Sequence, residues 1–555
     1  MMTTGARVLA EMLDGYGVTH LFHVPAVLRR TMVELEAHTS INRLRPHGEK
    51  SAAYMADGYA RASRRPGICA AQVVGAHNLA AGLRDAYLAH SPVIAFTGGR
   101  DPHTKFRKVY QEVDDVPAFE TVTKMNVTID AVERIPDMVR QAFRVATSGA
   151  PGPVHLQFAG NEGQIDAEAA DMEVYCEEQF ASVPPFRPLA VDADLTQALG
   201  LIRGAQRPVL VAGGGVRASG AGPVLVALAE RLGVPVATSL NGKDVIPGTH
   251  PLSVGVVGSY SRGSANRVVL EADLVIFVGT ETGGMTTHFW KVPPIGTRAI
   301  QIDIDPEALG RNYPAEVAIN ADARTALGRM LDLIKEPGAH HEWAGVAAGH
   351  VTDWRTEHAP RLESDQVPIR PERLCAELTD LVPDDGIVVV DTGHAGMWMG
   401  GMFDLRAPTQ SYLRSAGHLG WAFPASLGAK CAQPDRPVVC FTGDSGFWYH
   451  VAEIETAVRW GINSITVINN NHSGNQSKRG FDRVYGGKQS EKAHEMWVFT
   501  EVDFARLAED IGAVGIRVEK PADLAPAFDQ ALSADRPVVL DVVTDIDALA
   551  PVAVE

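Results

Sequence analysis

Cysteine is scarce in this chain. The five, Cys69, Cys176, Cys375, Cys431 and Cys440, form no CxxC pair and no zinc-like grouping. That argues against a disulfide scaffold or a structural zinc site and points to a reducing, cytoplasmic setting. Long apolar runs are also missing: no uncharged run approaches about 18 apolar residues, the length expected of a membrane-crossing helix. The first residues carry no charged-then-apolar leader. Positive charge is the minority, with 50 Lys and Arg against 67 Asp and Glu and a formal charge of -17. A nucleic-acid or anionic-membrane partner would demand a basic face, so neither is expected. Small anions respond to local fields instead, and Lys105, Arg107 and Lys108 form a local basic cluster, either a solvated loop or an anion-steering rim.

What is present is ordinary for a soluble globular protein: 45% hydrophobic and 21% charged residues. A length of 555 residues suggests about three domains. Strand-like and helix-like segments alternate throughout, which predicts an α/β fold of three parallel-sheet domains. Their expected bounds are 1–182, 189–335 and 365–555. A Pro-rich linker (VPPFRP) at 183–188 separates the first two, and a charged, His-rich stretch at 336–358 leads out of the second. The second opens with a strand at 207–212 running into Gly213-Gly214-Gly215.

The most informative feature lies in the third block. Gly443-Asp444-Ser445-Gly446-Phe447 is followed, 27 residues after its carboxylate, by Asn471 at the end of Asn469-Asn470-Asn471. Between them Val451, Ile454, Ala457 and Val458 recur at helical spacing, and residues 464–468 (SITVI) read as a strand. Strand, Gly turn, helix, strand is a βαβ unit, which places both polar groups at the carboxyl ends of parallel strands, where open α/β sheets bind cofactors. Asp444 and Asn471 are oxygen donors of the kind magnesium shares with phosphate oxygens and water. Either half alone reads as a turn or a loop; the pairing makes the metal-diphosphate reading the stronger one.

This segment resembles the thiamin-diphosphate (ThDP) signature, and the chain is similar over nearly its whole length to the ThDP enzymes of the acetolactate synthase-like superfamily. His47-Gly48-Glu49 with residues 53–61 (AYMADGYAR) resembles the stretch around the family's cofactor-activating glutamate. Residues 110–114 (YQEVD) and 119–124 (FETVTK) resemble an acetolactate synthase block, and residues 419–430 (LGWAFPASLGAK) the part supporting the thiazolium ring. The resemblance implies pyrimidine-binding, central nucleotide-binding-like and diphosphate-binding domains in order.

By the same resemblance Glu49 would hydrogen-bond the aminopyrimidine, which requires a buried carboxylate; a helix-capping glutamate is the alternative. Gly393, His394, Leu419, Gly443, Ser445 and Gly446 would surround the cofactor, with Leu419 propping its bent form and His394 standing where a glutamine is common. The metal would take Asp444, Asn471 and the backbone carbonyl of Ser473. Gln111 is carried over as a catalytic-site residue. The family places Glu49 and Asp444 of one site on different subunits, implying a homodimer at least and a homotetramer by expectation.

Departures from the family pattern mark further candidates. His23 replaces part of a Gly-rich phrase and His77 stands where threonine is usual, so each is a candidate proton shuttle or a hydrogen-bonded wall residue. Gly279 is followed by Thr280-Glu281-Thr282 rather than an Arg-Phe-Asp phrase, which argues against bound FAD; an adenine nucleotide or CoA moiety could still occupy the Gly213 turn. Residues 472–497 read as a loop closing over substrate, with Glu491 and Glu495 either acid-base groups or an exposed helix face. Ser445 and residues 453–456 (EIET) also resemble oxalyl-CoA decarboxylases and 2-hydroxyacyl-CoA lyases, which use a C-terminal tail as a lid over CoA; with 12 residues after Val543, that reading is weakened and stays open.

The expected activity is ThDP- and Mg2+-dependent decarboxylation and carboligation of a 2-oxo acid. The alternatives are cleavage of a 2-hydroxyacyl-CoA to formyl-CoA and a carbonyl product, or a non-catalytic ThDP-binding paralogue.

Overall fold

The protein is seen in a computed structural model that describes residues 2–551. Eight strands fall in the first domain: β1 (Met2–Thr4), β2 (His20–His23), β3 (Asn42–Leu44), β4 (Gly67–Ala71), β5 (Val93–Gly98), β6 (Met125–Ile129), β7 (Val154–Phe158) and β8 (Ala169–Asp171). Strands β4, β5 and β7 are buried along their whole length, as expected of parallel strands covered by helices on both faces. The six-stranded parallel sheet has the order β3-β2-β4-β5-β7-β6, and β1 pairs with β8 as a small antiparallel ribbon.

The middle domain is built on β9 (Pro208–Ala212), β10 (Val236–Thr238), β11 (Ser253–Val256), β12 (Leu274–Val278), β13 (Ala299–Asp303) and β14 (Ala315–Asn320), in the order β11-β10-β9-β12-β13-β14. The third uses β15 (Ile387–Val390), β16 (Ser411–Arg414), β17 (Val438–Gly443), β18 (Ile465–Asn470), β19 (Val514–Val518) and β20 (Val538–Val543), in the order β16-β15-β17-β18-β20-β19. Numbered from each domain's own first sheet strand, the outer sheets share the order 2-1-3-4-6-5, while the middle one is 3-2-1-4-5-6. The first and third domains are thus two versions of one topology. In each sheet the strand order reverses beside β2, β9 or β15, and there a crevice opens at the carboxyl ends of the strands.

The outer domains meet through two helices, Glu49–Ser63 and Ala422–Ala432. They cross at glycines: a Cβ on Gly58 would lie 2.0 Å from the Ala425 carbonyl oxygen, and one on Gly428 1.9 Å from that of Met55. Polar ties frame the crossing. Asp85, fully buried, accepts from Arg61, Ser415 Oγ and the N–H groups of Ala416 and His418, and Trp421 Nε1 donates to Asp57 at 2.8 Å. Nearer the site, the Tyr54 hydroxyl pairs with His418 Nδ1 at 2.6 Å and Ser51 Oγ with His450 Nδ1 at 2.8 Å.

The structure refines three local readings. The stretch at 336–358 is mostly a helix, His341–Leu362, whose Trp343 and Ala347 pack on the middle core and whose Trp354 packs on the third. The helix expected after Gly446 begins at Asp444 itself and is broken into Asp444–Trp448 and Glu453–Trp460. The strand read at 464–468 runs on through Asn469 and Asn470, which complete β18.

Candidate active site

The crevice of the third sheet holds the GDS turn. Parallel β17 ends at Gly443, opposite Asn469 on β18, so the following residues of both strands emerge side by side. Asp444 is 2% exposed; its Oδ1 accepts from Ser445 N at 2.7 Å and its Oδ2 from Ser473 N at 2.9 Å. Burial outweighs these bonds and lifts its pKa to about 7. Ser473 Oγ donates to Asn471 Oδ1 at 3.0 Å, and Asn469 Oδ1 is buried without a partner. A desolvated carboxylate beside amide and carbonyl oxygens, with no cationic side chain bonded to it among the described residues, fits a hard cation that completes its shell with phosphate oxygens and water.

On the neighbouring strand β15, Asp391 follows the last residue and is 1% exposed. It accepts from the N–H groups of Thr392 (2.8 Å) and Gly420 (3.0 Å) and from Thr442 Oγ1 (3.0 Å). Burial raises its pKa to about 7. One carboxylate therefore fastens the turn after β15, the Leu419-Gly420 loop and the end of β17. Gly446 has to be glycine here, since a Cβ would lie 2.7 Å from Thr442 Oγ1 and 2.8 Å from Asp391 Oδ2. Gly393 turns at φ 68° and leads into the helix His394–Gly401. Neither ring nitrogen of His394 has a partner, although both are buried, and burial depresses its pKa to about 4, so the ring is neutral. Gly393, His394, Leu419, Gly443, Asp444, Ser445, Gly446, Asn471 and Ser473 thus gather at one strand-order reversal. Asp391 and Thr442 belong with them and were missed as individuals, because their role depends on contacts across three loops.

The first sheet presents a second polar group at its own crevice. Glu49 is the first residue of its helix after Gly48; it makes no capping bond, and Oε2 accepts from Asn78 Nδ2 at 3.2 Å. In the single chain Glu49 is half-buried, with Gly75 so close that a Cβ there would meet Glu49 Oε1 at 2.5 Å. His23 closes β2; its Nδ1 is buried without a partner and burial lowers its pKa to about 4. His77, two residues beyond Gly75, has a 60% exposed ring whose Nε2 lies 3.2 Å from Asp115 Oδ1. Asp115 is buried, its Oδ2 has no partner, and burial raises its pKa to about 6 against the pull of His77. Gln111, at φ 65°, accepts from Gln72 Nε2 at 3.1 Å. Asp115 is a site residue that motif reading passed over. Among the described residues no hydrogen bond links this group to the Asp444 group within one chain.

Glu495 lies on the short helical turn Glu491–Met496 and is exposed, as is Glu491. The loop they belong to is anchored by Gly474 N donating to the Trp497 carbonyl at 2.7 Å and Phe499 N to that of His472 at 2.7 Å. The middle sheet's crevice opens into a cavity of about 360 Å³ whose lining includes Gly214, Gly215, Gly279, Glu281, Asp303 and Asp305. Glu281 pairs with His90 of the first domain at 3.3 Å.

Comparison with known proteins matches all three units. Residues 3–118 match the thiamine pyrophosphate enzyme N-terminal TPP binding domain, 195–330 the thiamine pyrophosphate enzyme central domain, and 391–542 the thiamine pyrophosphate enzyme C-terminal TPP binding domain. A probable acetolactate synthase large subunit of Methanocaldococcus jannaschii is 32% identical over 98% of this chain and 92% of its own. Acetolactate synthase isozyme 3 large subunit of Escherichia coli is 28% identical over 98% and 95%, and the mitochondrial acetolactate synthase catalytic subunit of Saccharomyces cerevisiae 28% over 99% and 81%.

Proposed function

The chain belongs to the ThDP enzymes of the acetolactate synthase-like superfamily, and on that footing we propose that it decarboxylates a 2-oxo acid and joins the acyl unit to the carbonyl carbon of a second one. The observation that carries the reading is the buried pair Asp444 and Asn471, bridged by Ser473 at the strand-order reversal of the third sheet. Bound ThDP would supply the nucleophilic carbon and the electron sink. In this reading Asp444, Asn471 and the Ser473 carbonyl hold Mg2+, while His394 donates its one ring N–H to the diphosphate. Leu419 supports the ring system, and Glu49 holds the pyrimidine end in its reactive tautomer. In the same reading His23 and the His77–Asp115 pair move a proton at the substrate, and Gln111 hydrogen-bonds it.

We take the active form to be at least a homodimer, with a homotetramer the further expectation. The first-domain crevice is open in a single chain: Val74, next to the Gly75 that packs on half-buried Glu49, is 60% exposed. A second copy's third domain covering that face would bury the carboxylate as its role requires. The middle cavity has room for a nucleotide-like group or a CoA moiety, while Thr280-Glu281-Thr282 after Gly279, in place of an Arg-Phe-Asp phrase, disfavours FAD. No helix among the described residues is long and apolar enough to cross a membrane; a cytoplasmic setting rests on the unpaired cysteines.

The 2-hydroxyacyl-CoA lyase reading draws no support from these relatives. The test is product analysis with ThDP and Mg2+ present, offering pyruvate or 2-hydroxyisobutyryl-CoA in separate reactions. Carbon dioxide with acetolactate is the expected outcome; acetone with formyl-CoA from the thioester, and nothing from pyruvate, would overturn it.

A further inference from the structure

Where the three domains meet, a cavity of about 70 Å³ is lined by Arg61 and Arg64 of the first, Arg217 of the second and Arg414 of the third. Among the described residues no carboxylate lines it. The nearest acids are already engaged: Asp57 and Asp85 hold Arg61 at 2.5 and 2.8 Å, and Asp244 holds Nε of Arg217 at 2.9 Å. Arg414 has neutral hydrogen-bond partners, Asn241 Oδ1 at 2.8 Å and the Ser415 carbonyl at 2.7 Å. The Arg64 guanidinium stands at the mouth with no hydrogen bond or ion pair among the described residues. Burial and the like charges of Arg217, Arg187 and Arg324 hold Arg64 below the ordinary guanidinium value, against the pull of Asp244. Burial and the neighbouring Arg61 do the same to Arg414.

Four guanidinium groups against three carboxylates, Asp57, Asp85 and Asp244, leave positive charge uncompensated, and an oxyanion is the ligand whose charge and fork geometry offset that cost. The cavity has room for a few waters or one tetrahedral oxyanion and none for a nucleobase. It runs on into the larger middle crevice, since both are lined by His90, Gly214, Asn241 and Arg414. The charge of the lining reverses along the way, from arginines to Glu281, Asp303 and Asp305.

We propose that this arginine pocket binds a phosphate-type oxyanion, either inorganic phosphate or the phosphate end of a ligand seated in the adjoining crevice. Because each domain contributes an arginine, the bound anion ties the three together. The site is separate from the Asp444 turn and stands or falls independently of the carboligase reading.

The test uses holoenzyme saturated with ThDP and excess Mg2+, so that the cofactor's own diphosphate site is filled. Its thermal midpoint is followed against millimolar inorganic phosphate or ADP, with ionic strength held constant by NaCl. The midpoint should rise by several degrees with an anion and not with NaCl. A rise with phosphate identifies the free ion; a rise with ADP alone identifies the phosphate end of a larger ligand. Arg64→Ala, which removes an unpartnered side chain, should weaken the apparent affinity about tenfold or more, and Arg217→Gln should do likewise, with 2-oxo acid turnover unchanged. No shift with either anion, or a shift that persists unchanged in both variants, overturns the proposal.

Discussion

Asp444 and Asn471 are joined through one residue: Asp444 Oδ2 accepts the Ser473 N–H at 2.9 Å, and Asn471 Oδ1 accepts the Ser473 hydroxyl at 3.0 Å. The bridge holds two oxygen donors from consecutive parallel strands in register before any cation arrives. In the proposed function that bridge is a preformed half-shell for magnesium.

Removing the carboxylate should therefore cost the cofactor. Asp444→Ala is expected to weaken ThDP and Mg2+ retention by more than about 100-fold, read as cofactor remaining after gel filtration in Mg2+-containing buffer. Full retention would mean that the metal is held elsewhere.

The His77–Asp115 pair should show in the pH profile. Burial holds Asp115 at about 6, so its carboxylate, the form that pairs with His77, is populated as pH rises through that value and lost as it falls. If the pair moves a proton, kcat/KM climbs between about pH 5 and about pH 7, and Asp115→Asn flattens that limb and lowers turnover near neutrality by roughly 100-fold. An unchanged limb in the variant would assign these residues to the wall of the site.

Gly428→Val puts a side chain against the Met55 carbonyl, 1.9 Å from the position a Cβ would take, and neither backbone can yield. A cost of about 3 kcal/mol or more is expected, seen as a lowered thermal midpoint and, because Met55 shares its helix with Glu49, lowered turnover. Gly200→Ala is the control: nothing lies within 4 Å of its Cβ position, and alanine suits the helix better, so the midpoint should hold or rise slightly.

The fold was legible where pattern is local. Alternating strands and helices gave three α/β units, and the run at 464–468 with its asparagines marked the strand that ends beside Asp444. Burial on both faces of β4, β12 and β17 leaves apolar runs that can hardly be read otherwise. What depends on distant residues was not legible. Asp391 acts through Gly420 and Thr442, and Asp115 through His77. The helix His341–Leu362 has its apolar residues split between two cores, so no single amphipathic face announces it. The arginine pocket assembles from positions scattered between Arg61 and Arg414, and no spacing rule connects them.

The central claim is that Glu49, at the crevice of the first sheet, serves a cofactor anchored at Asp444 in the crevice of the third. The direct measurement is hydrogen-deuterium exchange of the reactive ring proton of enzyme-bound ThDP in the wild type and in Glu49→Gln. The account predicts that the variant keeps its cofactor while exchange slows by a factor of about 100 or more. Exchange at the wild-type rate, with cofactor fully bound, would contradict it.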